Sequence, residues 1–180
     1  MNLIVGLGNP GKDYDLTRHN AGFIAAEKLL MKLNKKADFK KESKFGAEIA
    51  KVGDILIVKP YTYMNESGRA VRKIMDFYKL GVKDLVLIHD DLDIRLGEYK
   101  VQKGVGPKVH NGLGSVEKAL GDKSFLRVRL GVDNRQPGLK YGGGADYVLS
   151  KMTKEELLKL AMAMDLALGD LAVALGLEFE

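Results

Sequence analysis

Asn2-Leu3-Ile4-Val5-Gly6-Leu7-Gly8-Asn9-Pro10-Gly11 decides how this chain begins to fold. Asn2 to Leu7 is short and apolar, and Gly8-Asn9-Pro10-Gly11 closes it, so the stretch reads as a buried strand followed by a turn. Gly6 to Gly11 also matches, letter for letter, the dinucleotide fingerprint Gly-x-Gly-x-x-Gly. That fingerprint needs a helix to begin at the glycines, so that its first amides face a pyrophosphate. Lys12 to His19 shows no helical apolar period, and the acid nearest the expected position, Glu27, lies inside a helical pattern rather than at a strand end. A nucleotide-binding oxidoreductase would rest on this turn alone. The other use of such a turn is to present the Asn9 side chain at the carboxyl end of a strand, where open α/β sheets build their sites.

Outward from the turn, Ala21 to Leu33 places Phe23, Ala26, Leu29, Leu30 and Leu33 at helical spacing. Phe45 to Val52 and Ile55 to Val58 read as strands joined at Gly53-Asp54, a hairpin signal. Glu66 to Leu80 is helical, Leu85 to Ile88 is a buried strand ending on His89-Asp90-Asp91, and Tyr99 to Gln102 and Phe125 to Val132 are further strands around a helix at Gly112 to Leu120. Gly142-Gly143-Gly144 reads as a loop. Thr153 with Glu156 forms a capping box that opens a last helix reaching about Leu175. Strands alternating with helices predict an α/β sheet covered on both faces, with residues 1–180 as a single domain.

Composition sets outer limits. With 180 residues, 46% of them hydrophobic, the chain can bury a core without staples. It has no cysteine, which excludes disulfides and thiolate metal sites and fits a reducing cytoplasm. The first residues lack the basic region of a signal peptide, and no apolar run approaches the roughly 18 residues of a membrane span, so a soluble protein is expected. The net charge of +5 is unevenly spread. Basic residues gather at Lys32 to Lys44, at Arg95, Lys100, Lys103 and Lys108, and at Lys123, Arg127, Arg129, Arg135 and Lys140, whereas the segment from Lys154 onward is acidic. Such asymmetry suits a polyanion-binding face, and equally a solvated lysine-rich surface.

The chain has only three histidines, His19, His89 and His110. His89, at the end of a strand pattern, reads as structural. His19 and His110 each precede an asparagine that would make a good N-cap, so each could merely mark a helix start. Histidine is also the side chain whose ordinary pKa suits a general base near neutral pH. Asp90, at a strand's carboxyl end, could hold an imidazole in one tautomer. A side-chain nucleophile is missing: no cysteine occurs, and no Gly-x-Ser-x-Gly elbow. Water is then the natural attacker. Three histidines with Asp90, Asp91 and Asp93 could instead bind a metal, but no His-Glu-x-x-His or comparable spacing accompanies them. Asn9, Asn65 and Asn111 each sit at a strand-to-helix junction, where a neutral amide can cap a helix or donate to a developing oxyanion.

Taken in order, Ile4 to Gly11, Tyr14, Thr17 to Gly22, Lys59-Pro60, Thr62 to Gly68, His89 to Asp93 and His110 to Leu113 resemble the bacterial-type peptidyl-tRNA hydrolases over nearly the whole chain. The resemblance implies a single-domain α/β fold around a mixed twisted sheet with helices on both faces. It also implies a monomer without cofactor or metal, acting on tRNA that carries a peptide esterified to its terminal ribose. Residue by residue, His19 matches the catalytic base and Asp90 its carboxylate partner. Asn65 and Asn111 match amides that hold the peptide carbonyl and the water, and Asn9 one that positions the substrate end. Tyr14 and Met64 match walls of the crevice, His110 its rim, and Arg129 a basic residue that grips tRNA phosphate.

The pattern breaks at Lys103-Gly104-Val105-Gly106-Pro107-Lys108-Val109-His110, where the family carries a glycine-rich loop with a further histidine. Gln102 stands where a lysine is expected, and Lys108 is then the substitute phosphate ligand. An RNA-binding relative that has lost hydrolysis is the competing reading, but such a protein has no need of His19, Asp90, Asn65 and Asn111 together.

Overall fold

In the computed structural model, which describes residues 1–180, the opening stretch forms strand β1 (Asn2–Gly6) at the middle of a seven-stranded sheet. Its neighbours are β4 (Ile55–Pro60) and β5 (Leu85–Arg95), both parallel to it. Central parallel strands are covered on both faces, and so need apolar side chains on both. Leu3 and Val5 point into one core, and Ile4 into the other. The hairpin partner of β4 is β3 (Ala47–Val52), with Val52 opposite Ile55 across Gly53-Asp54, where Gly53 adopts φ 54°. Beyond β3 lies β2 (Lys40–Glu42). On the other side β7 (Leu126–Asp133) runs parallel to β5 and antiparallel to the edge strand β6 (Tyr99–Lys103). The spatial order is β2-β3-β4-β1-β5-β7-β6, a mixed sheet.

Helices α1 (Ala21–Leu33) and α5 (Lys154–Leu175) cover one face, and α2 (Ser67–Tyr78) and α3 (Asn111–Leu120) the other. A five-residue helix, α4 (Gly144–Val148), precedes α5. The α5 capping box forms as its sequence predicts: Thr153 Oγ1 accepts from the Glu156 amide, and the Thr153 amide donates to Glu156 Oε2. The expected single-domain α/β architecture with helices on both faces is present.

Three local expectations change. Strand β5 does not stop at Ile88 but continues through His89-Asp90-Asp91 to Arg95, with Asp90 and Asp91 paired to Leu130 and Gly131 of β7. Two acids inside a buried strand look like a strand end in sequence, because nothing local shows that partners from elsewhere satisfy them. Strand β2 is a short, polar edge with no alternation, and α4 spans too few residues to display a period.

The glycines of the opening turn serve packing rather than a nucleotide. A Cβ on Gly6 would collide with the carbonyl of Gly22 and lie 2.8 Å from Ala26 Cβ, and one on Gly8 would lie 2.6 Å from the Phe23 ring. A Cβ on Gly22 would in turn strike the Ile88 carbonyl and the main chain of Leu7. The first turn of α1 therefore rests directly on β1 and β5, and the residues just before it are carried to the carboxyl ends of those strands. Gly22→Ala is expected to destabilise the protein by more than about 2 kcal/mol in denaturant unfolding, because both obstacles are main chain. Gly114→Ala, in an open position on α3, should add about 0.5–1 kcal/mol through helix propensity. Equal effects at the two sites would contradict this account of α1 packing.

Candidate active site

Three loops meet above the carboxyl ends of β1, β4 and β5, and asparagines tie them together. The Asn9 amide donates to Asn20 Oδ1, and Asn20 Nδ2 donates back to the Asn9 carbonyl, both at 2.9 Å. Asn9 Oδ1 accepts from the Met64 amide at 2.8 Å. A backbone N–H needs an oxygen, so this last bond fixes which way the Asn9 amide points and leaves its Nδ2 for the space above. Asn20, which the sequence reading took only as a helix cap, is thus the clasp between the first turn and the residues carrying His19. Arg18 anchors the same short turn from behind. It donates to Ser150 Oγ and Glu156 Oε1, each at 2.6 Å, and stacks 4.1 Å over the Tyr147 ring.

Held in this way, His19 places Nδ1 at 2.9 Å and 3.0 Å from the two oxygens of Asp90. His110 reaches the same carboxylate from the other side, with Nε2 2.9 Å from Oδ1. The hydrogen-bond network assigns the protons. Asp90 can only accept, so His19 carries its hydrogen on Nδ1 and keeps a lone pair on Nε2. The Leu113 amide donates to His110 Nδ1 at 3.1 Å, so His110 carries its hydrogen on Nε2 and donates to Asp90. Burial opposes ionisation of Asp90, but the adjacent His110 and His19 rings outweigh it and hold the carboxyl well below the usual carboxylate range. His89 lies beneath, fully buried, with Nδ1–H donating to the Asp90 carbonyl at 2.7 Å and no partner on Nε2. Desolvation first, and then the neighbouring His110, push it down to about 3, so it stays neutral.

The three side chains His19, Asp90 and His110 bring one ligand atom each within 4.8 Å of one another. The assigned protons leave His110 without a free ligand nitrogen. Coordination through His110 Nε2 would move its hydrogen to Nδ1, against the Leu113 N–H.

The crevice above these groups encloses about 810 Å³. Asn9, His19, Met64, Asn65, Asp90, His110 and Asn111 all line it, with Asn65 and Asn111 exposed. The sequence reading missed much of the apolar wall, which comes from Tyr63, Leu92 and Val109 and from Ala145, Val148 and Leu149 around α4. Tyr63 adjoins a motif already singled out, but α4 left no readable signal.

Three expected contacts lie elsewhere. Tyr14 ends a short turn at Lys12–Tyr14, outside the crevice walls. Lys108 is exposed at the foot of the loop, with its amide donating to Asp93 Oδ2 at 2.9 Å. Arg129 needs correction as a displayed phosphate ligand. It is 6% exposed, donates to Asp91 Oδ2 at 2.7 Å and Gln102 Oε1 at 2.8 Å, and packs under Gly106. Arg127 is also inside, donating to the Gly106 carbonyl, Glu117 and the Lys123 carbonyl. Two of the charges that sequence reading assigned to a basic surface are therefore internal braces of the 104–110 loop.

Fold and crevice together define a small α/β hydrolase type in which a His–Asp couple, rather than a serine or cysteine, faces a pocket rich in amides. Comparison with known proteins gives the family. The model for peptidyl-tRNA hydrolases matches residues 3–179. The Bacillus cereus (strain Q1) peptidyl-tRNA hydrolase is 42% identical over 158 residues, 87% of this chain and 83% of that protein. The Geotalea uraniireducens one is 43% identical over 164 residues, covering 91% and 84%. The crystal structure of peptidyl-tRNA hydrolase from Acinetobacter baumannii superposes with a TM-score of 0.86 at 33% identity, over 96% of this chain and 87% of that one. The chain belongs to the peptidyl-tRNA hydrolase family.

The neutral burial of His89 has a measurable consequence. In the unfolded chain its imidazole takes up a proton near pH 6.5, whereas the native state refuses it until about 3. Stability should therefore fall as pH drops through this window, by up to about 1.4 kcal/mol per pH unit for this one proton. Asp90 adds a further loss below the ordinary carboxylate range, because its native carboxyl stays ionised to lower pH. Denaturant midpoints measured between pH 7 and 4.5 should show the slope, and His89→Phe should reduce it by about one proton. An unchanged slope in that variant would refute the assignment.

Proposed function

We propose that the protein hydrolyses the ester between a peptide and the 3′ ribose of tRNA, with water as nucleophile and His19 as general base. The observation that carries this reading is the His19–Asp90 couple, fixed so that Nε2 keeps its lone pair toward a crevice walled by Asn9, Asn65 and Asn111. Water gives its proton to Nε2 as its oxygen attacks the ester carbonyl. Asp90 stabilises the imidazolium that forms, and the amides of Asn65 and Asn111 hold the carbonyl oxygen and the water, with Asn9 Nδ2 positioning the substrate end. As the C–O bond breaks, the imidazolium returns its proton to the leaving 3′ oxygen, and the base is regenerated. Proton transfer of this kind contributes about 10²–10⁴ in rate, and an amide at the oxyanion about 10²–10³. The apolar wall of Met64, Val148 and Leu149 gives the peptide a non-specific surface. No helix is long and apolar enough to cross a membrane. We take the enzyme to act as a metal-free monomer on cytoplasmic peptidyl-tRNA. The alternative, an RNA-binding protein without hydrolysis, leaves a buried carboxylate shared by two imidazoles without a purpose.

Release of labelled peptide from peptidyl-tRNA tests the reading. His19→Ala should lower kcat by about 10²–10⁴ with binding nearly unchanged, and EDTA should leave the wild type active. Activity within tenfold of wild type in the variant would sink the base assignment, and loss in EDTA restored by zinc would sink the metal-free mechanism.

The revised positions of the cations give a second test. Lys108→Ala should raise KM and reduce the salt dependence of log(kcat/KM) by about one phosphate contact, without changing stability. Arg129→Ala should instead destabilise the fold by about 3–5 kcal/mol, since it strands the fully buried Asp91 carboxylate. A stable Arg129→Ala protein with a flattened salt dependence would restore the arginine to the tRNA interface.

A further inference from the structure

His110 does two things at once. Its Nδ1 accepts from the Leu113 amide and so caps α3, while its Nε2–H donates to Asp90 Oδ1. Asparagine, aspartate and serine are the preferred caps, so capping alone gives no reason for a histidine. What histidine adds is a second nitrogen on the far side of a rigid ring, which reaches the carboxylate already bound to His19. The two rings lie 4.9 Å apart, and His110's side chain is 3% exposed.

We propose that His110 is a positioning residue that competes with His19 for Asp90, and thereby limits how tightly the His19 imidazolium is held after it takes a proton from water. This inference rests on the reading of His19 as the base. One oxygen of Asp90, Oδ1, receives hydrogens from both rings, whereas Oδ2 receives only that of His19. An acceptor shared between two donors gives each of them less. A base held too firmly in its protonated form would return the proton slowly to the leaving oxygen, and would be occupied by solvent protons at higher pH.

The remaining charged groups around the couple are otherwise engaged. Asp91 pairs with Arg129, and Asp93 accepts from the Lys108 amide. Arg18 faces Glu156, and Glu66, on the crevice wall, lies 3.7 Å from Arg69. His89 stands 5.1 Å from the His110 ring and is neutral, with Arg127 on the β7 side of it. Around α4 the wall is uncharged, formed by Ala145, Val148 and Leu149. Asp90 is thus the one acid that the two histidines divide.

His110→Asn separates the two roles, because asparagine caps α3 but is too short to reach Asp90. The full chain is assayed with peptidyl-tRNA between pH 5 and 9. The acidic limb of kcat/KM should move upward by about half to one pH unit, so that the rate well below the limb falls about three- to tenfold relative to the plateau. Asp90→Asn should move the limb the opposite way. His110→Ser, a second good cap, should match His110→Asn, and the His19 ring signals followed by NMR across the same range should shift with the limb. A limb that stays in place in both variants, with only the plateau lowered, overturns the proposal and makes His110 a wall or substrate contact. The base assignment is tested separately by His19→Ala: activity retained there defeats the reading of His19, whereas an unmoved limb with His19→Ala inactive defeats only the sharing of Asp90.

Discussion

An ionised carboxylate in the middle of a buried strand is the constraint around which this molecule is arranged. Removing such a group from water costs several kcal/mol unless hydrogen bonds replace its solvation. Asp90 is 2% exposed, and its replacement donors are two imidazole N–H groups brought by segments remote in sequence. The turn at Arg18–Asn20 and the start of α3 are therefore not free to adjust independently. Each must deliver a ring to one carboxylate on β5, and losing either leaves charge poorly solvated. The same requirement aligns the chemistry, because a carboxylate that only accepts forces the hydrogen of His19 onto Nδ1 and frees Nε2.

Close approach of the main chain makes that delivery exact enough to serve. Gly6 and Gly22 let α1 lie on β1, and Gly8 gives its face to the Phe23 ring. On the opposite face, Gly68 lets α2 approach the Ser115 main chain of α3, and Gly112 lies against the Met64 side chain. The consequence is that α1, whose start carries His19, is registered against the sheet by backbone, and α3, whose start carries His110, is registered against α2 in the same way. Asn9 and Asn20 then join the first turn to the Met64 segment through three hydrogen bonds, so Asn9, Asn65 and His19 share one mounting.

Much of this was legible in the sequence, and the gaps have physical causes. The periods of β1, β4, α1 and α5 and the Thr153–Glu156 capping box are local signals, and the elements formed where those signals lie. Asn9, Asn65 and Asn111 stood at strand-to-helix junctions, His19 before a helix start and Asp90 at an apparent strand end, and all of them reach the crevice. What sequence could not convey was pairing across the chain. Asp90 and Asp91 looked like a strand end, because their partners lie 20 to 71 residues away. Asn20 looked like a cap, but its side chain is the bridge to Asn9. The wall around α4 was invisible, since five residues cannot display a helical period.

The arginines show the same limit in reading charge, and the way they are placed divides the labour among cations. Arg127 and Arg129 alternate along β7 with Val128 and Leu130, and the alternation sends the arginines to one face and the apolar pair to the other core. On that face each guanidinium finds several planar acceptors: Glu117 and two carbonyls for Arg127, Asp91 and Gln102 for Arg129. A planar fork with several donors suits such a buried, directional role, whereas an ammonium, compact and strongly hydrated, does not. The lysines of the same region, Lys100, Lys103 and Lys108, remain exposed. With Gln102 engaged by Arg129 rather than offering a cation, the outward positive charge around the loop belongs to these lysines, while the arginines beneath donate to Asp91, Gln102 and the Gly106 carbonyl. The loop's departure from the family pattern thus leaves lysines exposed above an arginine brace, and the loop leads from that brace to His110 beside Asp90.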